Sequence, residues 1–285
     1  LDKIWTTSEL INWGKNFFVS KNISEPRLNF EFLLCKVLNC NRIDLYLKYD
    51  YPFKPNQLSE LKELINRRAK FEPLQYILGE VEFYGNKFIS DKRALIPRPE
   101  TELLVIHSKE IISQINKPKT RVLEVGVGTG CVSISLAKLF PAAEFYGIDI
   151  SQDAIDLAFE NKELHKVENI KFKKADFFEF STFSYFDLII SNPPYIPKEQ
   201  YSKNNLQEEL FFEPKIALTD DADGLVFYRK FAEIIKLSTQ KMQLILEINE
   251  FTSDIIVELF KIDNVATTKI KDFNNLDRML IIEKK

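Results

Sequence analysis

The chain has 285 residues, 45% of them hydrophobic and 28% charged, with a formal net charge of −3. That is ordinary for a folded globular protein and long enough for about two domains. Three cysteines (Cys35, Cys40, Cys131) cannot build a disulfide framework, two histidines (His107, His165) offer no zinc-type cluster, no apolar run reaches the roughly 20 residues of a membrane span, and the mildly acidic balance argues against a long nucleic-acid backbone as partner.

Residues 1–75 place apolar side chains at three- and four-residue spacing, at Leu28, Phe32, Leu33 and Leu34 and again at Leu58, Leu61, Leu64 and Ile65. With breakers at Pro26, Pro52 and Pro55, they predict a small all-α domain that carries or positions something. Over 76–93 the pattern changes to aromatic and β-branched residues around Gly85-Asn86, which predicts a β-hairpin linker turning at that pair. Pro99, followed by Glu100 and Glu102, predicts a helix running to about Gln114. The rest of the chain, 94–285, reads as one α/β domain. Strands are expected over 121–125, 144–150, 170–176, 186–191, 243–248, 265–272 and 278–285, with helices between them and a charged loop up to 222. Seven strands with crossover helices imply an open, mainly parallel sheet whose last two strands pair antiparallel.

Three of the chain's eight glycines stand within five positions, in Gly126-Val127-Gly128-Thr129-Gly130, after the first strand of that sheet and before a helix. Glycine permits a sharp turn and lets a ligand approach the backbone, and such a loop sits at the carboxyl end of a strand, where open α/β sheets bind ligands. The dinucleotide fingerprint would want its third glycine where Cys131 stands. A plain structural turn is the alternative. Asp149, at the end of the second strand, can accept both hydroxyls of a ribose, or can be an N-terminal helix charge beside Ser151. Asp176 with Phe177 suits an adenine amino group and its flat face, though strand-end aromatics are also common core residues.

Asn192-Pro193-Pro194-Tyr195 follows the fourth strand, a tetrad expected by chance on the order of once in a thousand chains of this length. The two prolines make a rigid corner. The Asn192 side-chain carbonyl and the Pro193 backbone carbonyl are two acceptors for the two hydrogens of a planar –NH2, and Tyr195 offers a flat face for that group. Such a pocket prefers an amide or aromatic amine to a tetrahedral ammonium. Together these sites predict methyl transfer from S-adenosyl-L-methionine by positioning and hydrogen-bond polarisation, without a metal or covalent nucleophile.

The chain resembles the HemK/PrmC family, the protein-(glutamine-N(5)) methyltransferases acting on peptide chain release factors. The resemblance runs over nearly the whole sequence. It is carried by Glu72-Pro73-Leu74-Gln75-Tyr76-Ile77-Leu78-Gly79, Phe83-Tyr84-Gly85, Leu95-Ile96-Pro97-Arg98-Pro99-Glu100-Thr101-Glu102, the glycine loop from Glu124, the tetrad, Phe212-Glu213-Pro214 with Ala217-Leu218, and Asp272 with Asp277-Arg278. It implies a class I S-adenosylmethionine-dependent methyltransferase: a seven-stranded Rossmann-like sheet preceded by a helical N-terminal domain and a hairpin linker. The implied substrate is the glutamine of a Gly-Gly-Gln loop in the release factor, and a cytoplasmic setting follows. Family cofactor positions match the glycine loop, Asp149, Phe177 and Asn192, substrate positions match the tetrad, and Arg98, Glu100 and Thr101 match residues bordering the cofactor.

Four positions depart from the family pattern. Phe177 stands where many relatives have a tryptophan, which keeps the stacking face but loses the indole donor. Asn249 and Thr252 stand where a glycine and a glutamine are usual, and Asn275 replaces a glycine near the last hairpin. With 19 Asn against 8 Gly, asparagine is expected to serve where positive φ is needed. Two other readings remain: a DNA or RNA amine methyltransferase, which would need a basic groove and a salt-sensitive affinity, and an inactive cofactor-binding adaptor, which an intact tetrad disfavours.

Overall fold

The computed structural model describes residues 4–115, 117, 119–202 and 204–285. The chain forms two compact units, Leu1–Glu80 and Val81–Lys285. The first is all helical: α1 (Thr7–Ser20), α2 (Pro26–Leu38), α3 (Arg42–Leu47), α4 (Pro55–Arg68) and α5 (Leu74–Leu78). Pro26 and Pro55 break the chain by starting helices, at the first helical position where a missing N–H costs nothing. Thr6 and Glu9 close a reciprocal cap on α1, with the Thr6 N–H donating to Glu9 over 3.0 Å. Phe18, Phe30, Leu33, Leu34 and Leu45 are fully buried in this unit's own core. Helix α5 runs past residue 75, the expected end of the helical segment, and occupies the start of the expected linker.

The hairpin consists of β1 (Glu80–Phe83) and β2 (Asn86–Ile89). It turns at Tyr84-Gly85, one residue earlier than expected, and both turn residues have positive φ, 50° and 68°. A two-residue type I′ turn demands this of both central positions. The shift has local causes. The Tyr84 N–H donates to Glu102 over 2.8 Å, and the Asn86 side chain donates back to the Tyr84 carbonyl over 2.8 Å, which makes Asn86 a strand residue bracing the turn.

A 3-10 turn, Pro99–Thr101, leads into α6 (Glu102–Gln114). Then follow β3 (Arg121–Val125), α7 (Cys131–Leu139), β4 (Glu144–Asp149), α8 (Gln152–His165), β5 (Ile170–Lys174), β6 (Leu188–Ser191), α9 (Val226–Leu237), β7 (Met242–Glu247), α10 (Ser253–Leu259), β8 (Val265–Lys271) and β9 (Asp277–Lys284). The sheet order is β5-β4-β3-β6-β7-β9-β8, with β9 antiparallel to both neighbours and the other pairs parallel. This is the expected seven-stranded α/β sheet. Strand β5 ends at Lys174, so Asp176 lies two residues beyond it, and the stretch up to 222 contains short 3-10 turns at Lys198–Gln200, Glu208–Phe212 and Lys215–Ala217.

The chain lays β3, β4 and β5 outward in one direction, then returns to set β6 on the other side of β3. A crevice opens at the carboxyl ends of strands where the order reverses in this way. All four residues of β6 are buried, as a strand covered on both faces requires. Asn275 has a φ of 63°, and Asn22, Asn39 and Asn264 are also left-handed. Asn249 is not. It instead accepts the Phe251 N–H on its side chain over 2.9 Å, so the expected exchange of asparagine for glycine holds at Asn275 and fails at Asn249. Among the described residues no helix is long and apolar enough to cross a membrane.

Candidate active site

Val125 and Ser191 are register partners in the sheet, and the next residue on each strand opens a loop. The glycine loop and the tetrad therefore emerge side by side, with an added Cβ at Gly126 only 3.9 Å from the Asn192 carbonyl oxygen. Gly126, Gly128 and Gly130 all have positive φ, 76°, 55° and 79°. At Gly126 and Gly128 nothing lies closer than 3.9 Å to the missing side chain, so it is the left-handed turn that requires glycine there.

Asp149 sits across from this loop and ties it down. One carboxylate oxygen accepts the Gly128 N–H over 3.0 Å and the other accepts the Ser151 N–H over 2.9 Å. Burial raises its carboxyl above the usual range and the backbone donors oppose that. Each oxygen retains acceptor capacity, so the group can cap the loop and still receive hydroxyls. Glu124, the last but one residue of β3, is buried and accepts both the N–H (3.0 Å) and the hydroxyl of Ser133; burial pushes its carboxyl up to about 8.

A cleft of about 560 Å³ lies over these strand ends, within the usual size of a small-ligand pocket. Gly126, Val127, Gly128, Thr129, Asp149, Asp176, Phe177, Asn192 and Pro194 all line it. Gly130, Pro193 and Tyr195 do not. Gly130 caps the N-terminus of α7 and Pro193 is buried, while the Tyr195 ring packs onto the core cluster that holds Tyr228, Phe231 and Leu246. Burial raises the Tyr195 hydroxyl well above its ordinary value, with the Glu247 charge adding to it. The Tyr195 carbonyl in turn sits against Gly224, where an added Cβ would lie 2.4 Å from that oxygen.

Phe177 is 5% exposed and stacks parallel to Phe227 at 5.7 Å between centroids, with Phe231 at 4.6 Å. Phe178 and Phe227 line the cleft beside it. The aromatic wall is thus shared by two chain segments, and Phe227 carried no sequence signal beyond its place at the start of an amphipathic helix. Asp176 accepts the Phe178 N–H over 2.8 Å, which shapes the turn.

The stretch Ile96 to Thr101 reaches the site through Glu213. This buried carboxylate accepts the Ile96 N–H (2.9 Å) and pairs with Arg98 (2.5 Å), so two separate sequence motifs form one clamp on the cleft wall. Thr101 lines the cleft; its hydroxyl donates to buried Glu247 over 2.8 Å and lies 3.3 Å from the Asn192 Nδ2. The Tyr228 hydroxyl donates to the Glu247 backbone carbonyl over 2.8 Å. Among the described residues no group of three or more His, Cys, Asp or Glu side chains is placed to hold a metal ion.

Comparison with known proteins agrees across both units. A PrmC N-terminal domain model matches residues 9–79 and a methyltransferase domain model matches residues 116–277. The release factor glutamine methyltransferase of Chlorobaculum tepidum is 36% identical, covering 98% of this chain and 97% of that protein. That of Geobacter sulfurreducens is 40% identical over 80% of this chain and 78% of that protein, and that of Bacillus anthracis 32% identical over 96% and 98%. Among solved structures, the hMettl16 catalytic domain in complex with MAT2A 3'UTR hairpin 6 superposes with a TM-score of 0.53 at 16% identity, covering 77% of this chain and 81% of that one, a likeness of fold.

Proposed function

Because the chain belongs to the family of release factor glutamine methyltransferases, we propose that it methylates the side-chain amide nitrogen of the glutamine in the Gly-Gly-Gln motif of peptide chain release factors, using S-adenosyl-L-methionine. The observation that carries the reading is the adjacency of Gly126 and Asn192 at the ends of paired strands: a cofactor loop and an amide-accepting tetrad share one cleft.

The residues present fit the cofactor. The cleft offers left-handed glycine backbone, a carboxylate with spare acceptor capacity at Asp149, an aromatic wall at Phe177, Phe178 and Phe227, and the Asp176 carboxylate beside it. On this reading Gly126, Val127, Gly128 and Thr129 cradle the cofactor while Gly130 turns the loop into α7, Asp149 takes the ribose hydroxyls, and Asp176 with Phe177 takes the adenine. The bound cofactor supplies a methyl group already activated on a sulfonium. The protein supplies alignment. Asn192 Oδ1 and the Pro193 carbonyl accept the two N–H groups of the glutamine amide and raise the electron density on a nitrogen whose lone pair is otherwise delocalised. Pro193 and Pro194 keep that corner rigid, so the nitrogen is held in line for attack. The nitrogen–methyl bond would form as the sulfonium's bond to that methyl breaks, releasing a neutral thioether, and one amide proton, held until then against Asn192 or Pro193, would be lost to water. Tyr195 anchors the corner through its ring in the core.

The helical N-terminal unit is assigned to recognition of the release factor. Direct nucleic-acid binding is not part of the proposal, and a cytoplasmic site of action follows from the substrate. The test is mass spectrometry of purified release factor incubated with the protein and S-adenosylmethionine. One added methyl on the Gly-Gly-Gln glutamine, absent with Asn192→Ala, supports substrate, cofactor and site together. An unmodified glutamine with cofactor binding intact would move the assignment to another amide or to an adaptor.

A further inference from the structure

Three side chains behind the tetrad form a hydrogen-bond chain with one permitted direction. Glu247 ends β7, Thr101 ends the turn before α6, and Asn192 follows β6. Glu247 is 2% exposed and Thr101 5%, so water does not compete for their bonds. A hydroxyl has a single hydrogen. When Glu247 is ionised it can only accept, so the Thr101 hydrogen is then committed to it at 2.8 Å. Thr101 then meets Asn192 with lone pairs alone. These attract the Asn192 –NH2, 3.3 Å away, and repel its carbonyl.

The two ends of an asparagine amide are nearly equal in size, so packing alone selects neither. Yet only one end suits the substrate: a glutamine –NH2 is all donor and requires the Asn192 oxygen. We propose that Thr101 and Glu247 are positioning residues that fix the Asn192 side-chain amide with its carbonyl facing the cleft. This rests on the functional reading above for its consequence, although the orientation itself belongs to the free protein.

Charge around Glu247 bears on the same relay. Burial pushes its carboxyl up to about 7. Arg98 and Glu100 face it from the segment carrying Thr101 and Arg278 from β9, with the two arginines favouring the ionised form and Glu100 opposing it. Tyr195 lies near it and the Tyr228 hydroxyl binds its backbone. Once protonated, Glu247 becomes a donor and the relay can reverse, so turnover is expected to rise with pH through this range and to lose that limb in Glu247→Gln.

The test compares the unaltered protein with Thr101→Val, which keeps shape but removes the hydroxyl, and Thr101→Ser, which retains it. Expected is a fall in kcat for release factor of roughly tenfold to a hundredfold in the valine variant, as for loss of one oriented polar group at a reacting centre. The fall in kcat exceeds any loss of cofactor affinity that follows from the place of Thr101 in the cleft wall. Serine restores most of the rate. In the protein without substrate, nitrogen-15 NMR is expected to show one slowly exchanging Asn192 Nδ2 proton that is lost in the valine variant and kept in the serine variant. Identical Asn192 amide signals in all three proteins overturn the inference, whatever the activity. Unaltered protein that binds cofactor yet leaves the release factor unmethylated overturns the functional reading instead, and the amide signals still decide the orientation.

Discussion

The Ser191 hydroxyl donates to the Val125 carbonyl over 2.8 Å, stitching together the last residues of the two central strands. Every later distance between the glycine loop and the tetrad depends on this register, because Gly126 and Asn192 are the next residues out. On the proposed function Asn192 carries the chemistry. Asn192→Ala is expected to lower kcat by about 10²- to 10³-fold while the melting temperature stays near its original value. Single-turnover methylation of release factor checks this, and near-native turnover would remove Asn192 from the mechanism.

Asp149 fastens the glycine loop and is proposed to take the ribose, and its removal should reveal both. Asp149→Ala leaves the Gly128 and Ser151 N–H groups without their acceptor and deletes the proposed ribose ligand. Charge-assisted hydrogen bonds of this kind are worth about 1.5–3 kcal/mol, so calorimetry should show cofactor affinity weaker by roughly 10- to 150-fold. Unchanged affinity would leave Asp149 as a loop fastener only.

Gly224 is held by a close approach to the tetrad backbone. Its φ is 79°, and an added Cβ would lie 2.4 Å from the Tyr195 backbone oxygen. Left-handed strain alone costs about 1 kcal/mol, but a backbone carbonyl cannot swing aside as a side chain can. Gly224→Ala should therefore cost about 2–3 kcal/mol in urea unfolding and also slow methylation by displacing the tetrad. A loss of stability near 1 kcal/mol with full activity would mean that the tetrad backbone is free to yield.

Burial raises Glu247 from 4.5 to about 7 in the folded protein. Between those values the folded state holds a proton that the unfolded state has released, so this group's contribution is fully present below about pH 4.5 and is lost as pH rises through about 7. Relative to Glu247→Gln, the unaltered protein should lose stability over that window, by an amount on the order of a few kcal/mol, and the difference should be flat above it. Paired denaturation curves from pH 5 to 8 test the sign. A difference that grows with pH would mean that Arg98 and Arg278 outweigh burial.

The sheet, the loop at Gly126 and the tetrad at Asn192 were legible because each depends on local pattern: apolar runs, clustered glycines and adjacent prolines. The Tyr84-Gly85 turn was misplaced by one residue because Glu102, eighteen positions on, claims the Tyr84 N–H. The roles of Glu213 and Glu247 were not legible either. The partner of each is set only when the fold brings it, from 115 and 146 positions away, to Arg98 and Thr101. Asn275 followed from backbone preference alone, whereas Asn249 went to a side-chain turn that competes for the same residue type.

Strand β9 comes after β8 in the chain yet lies between β8 and β7. Strand order and synthesis order therefore disagree at this edge. As the polypeptide is made, β8 has no sheet to join until β9 has emerged, and β7, five of whose six residues are buried, waits with an open edge. The natural unit of assembly is the antiparallel pair, docking as one piece through the register that sets Met279 beside Glu247. A nascent chain halted before Asp277 would hold a complete glycine loop and tetrad, but also a bare apolar strand edge ready to pair with another copy.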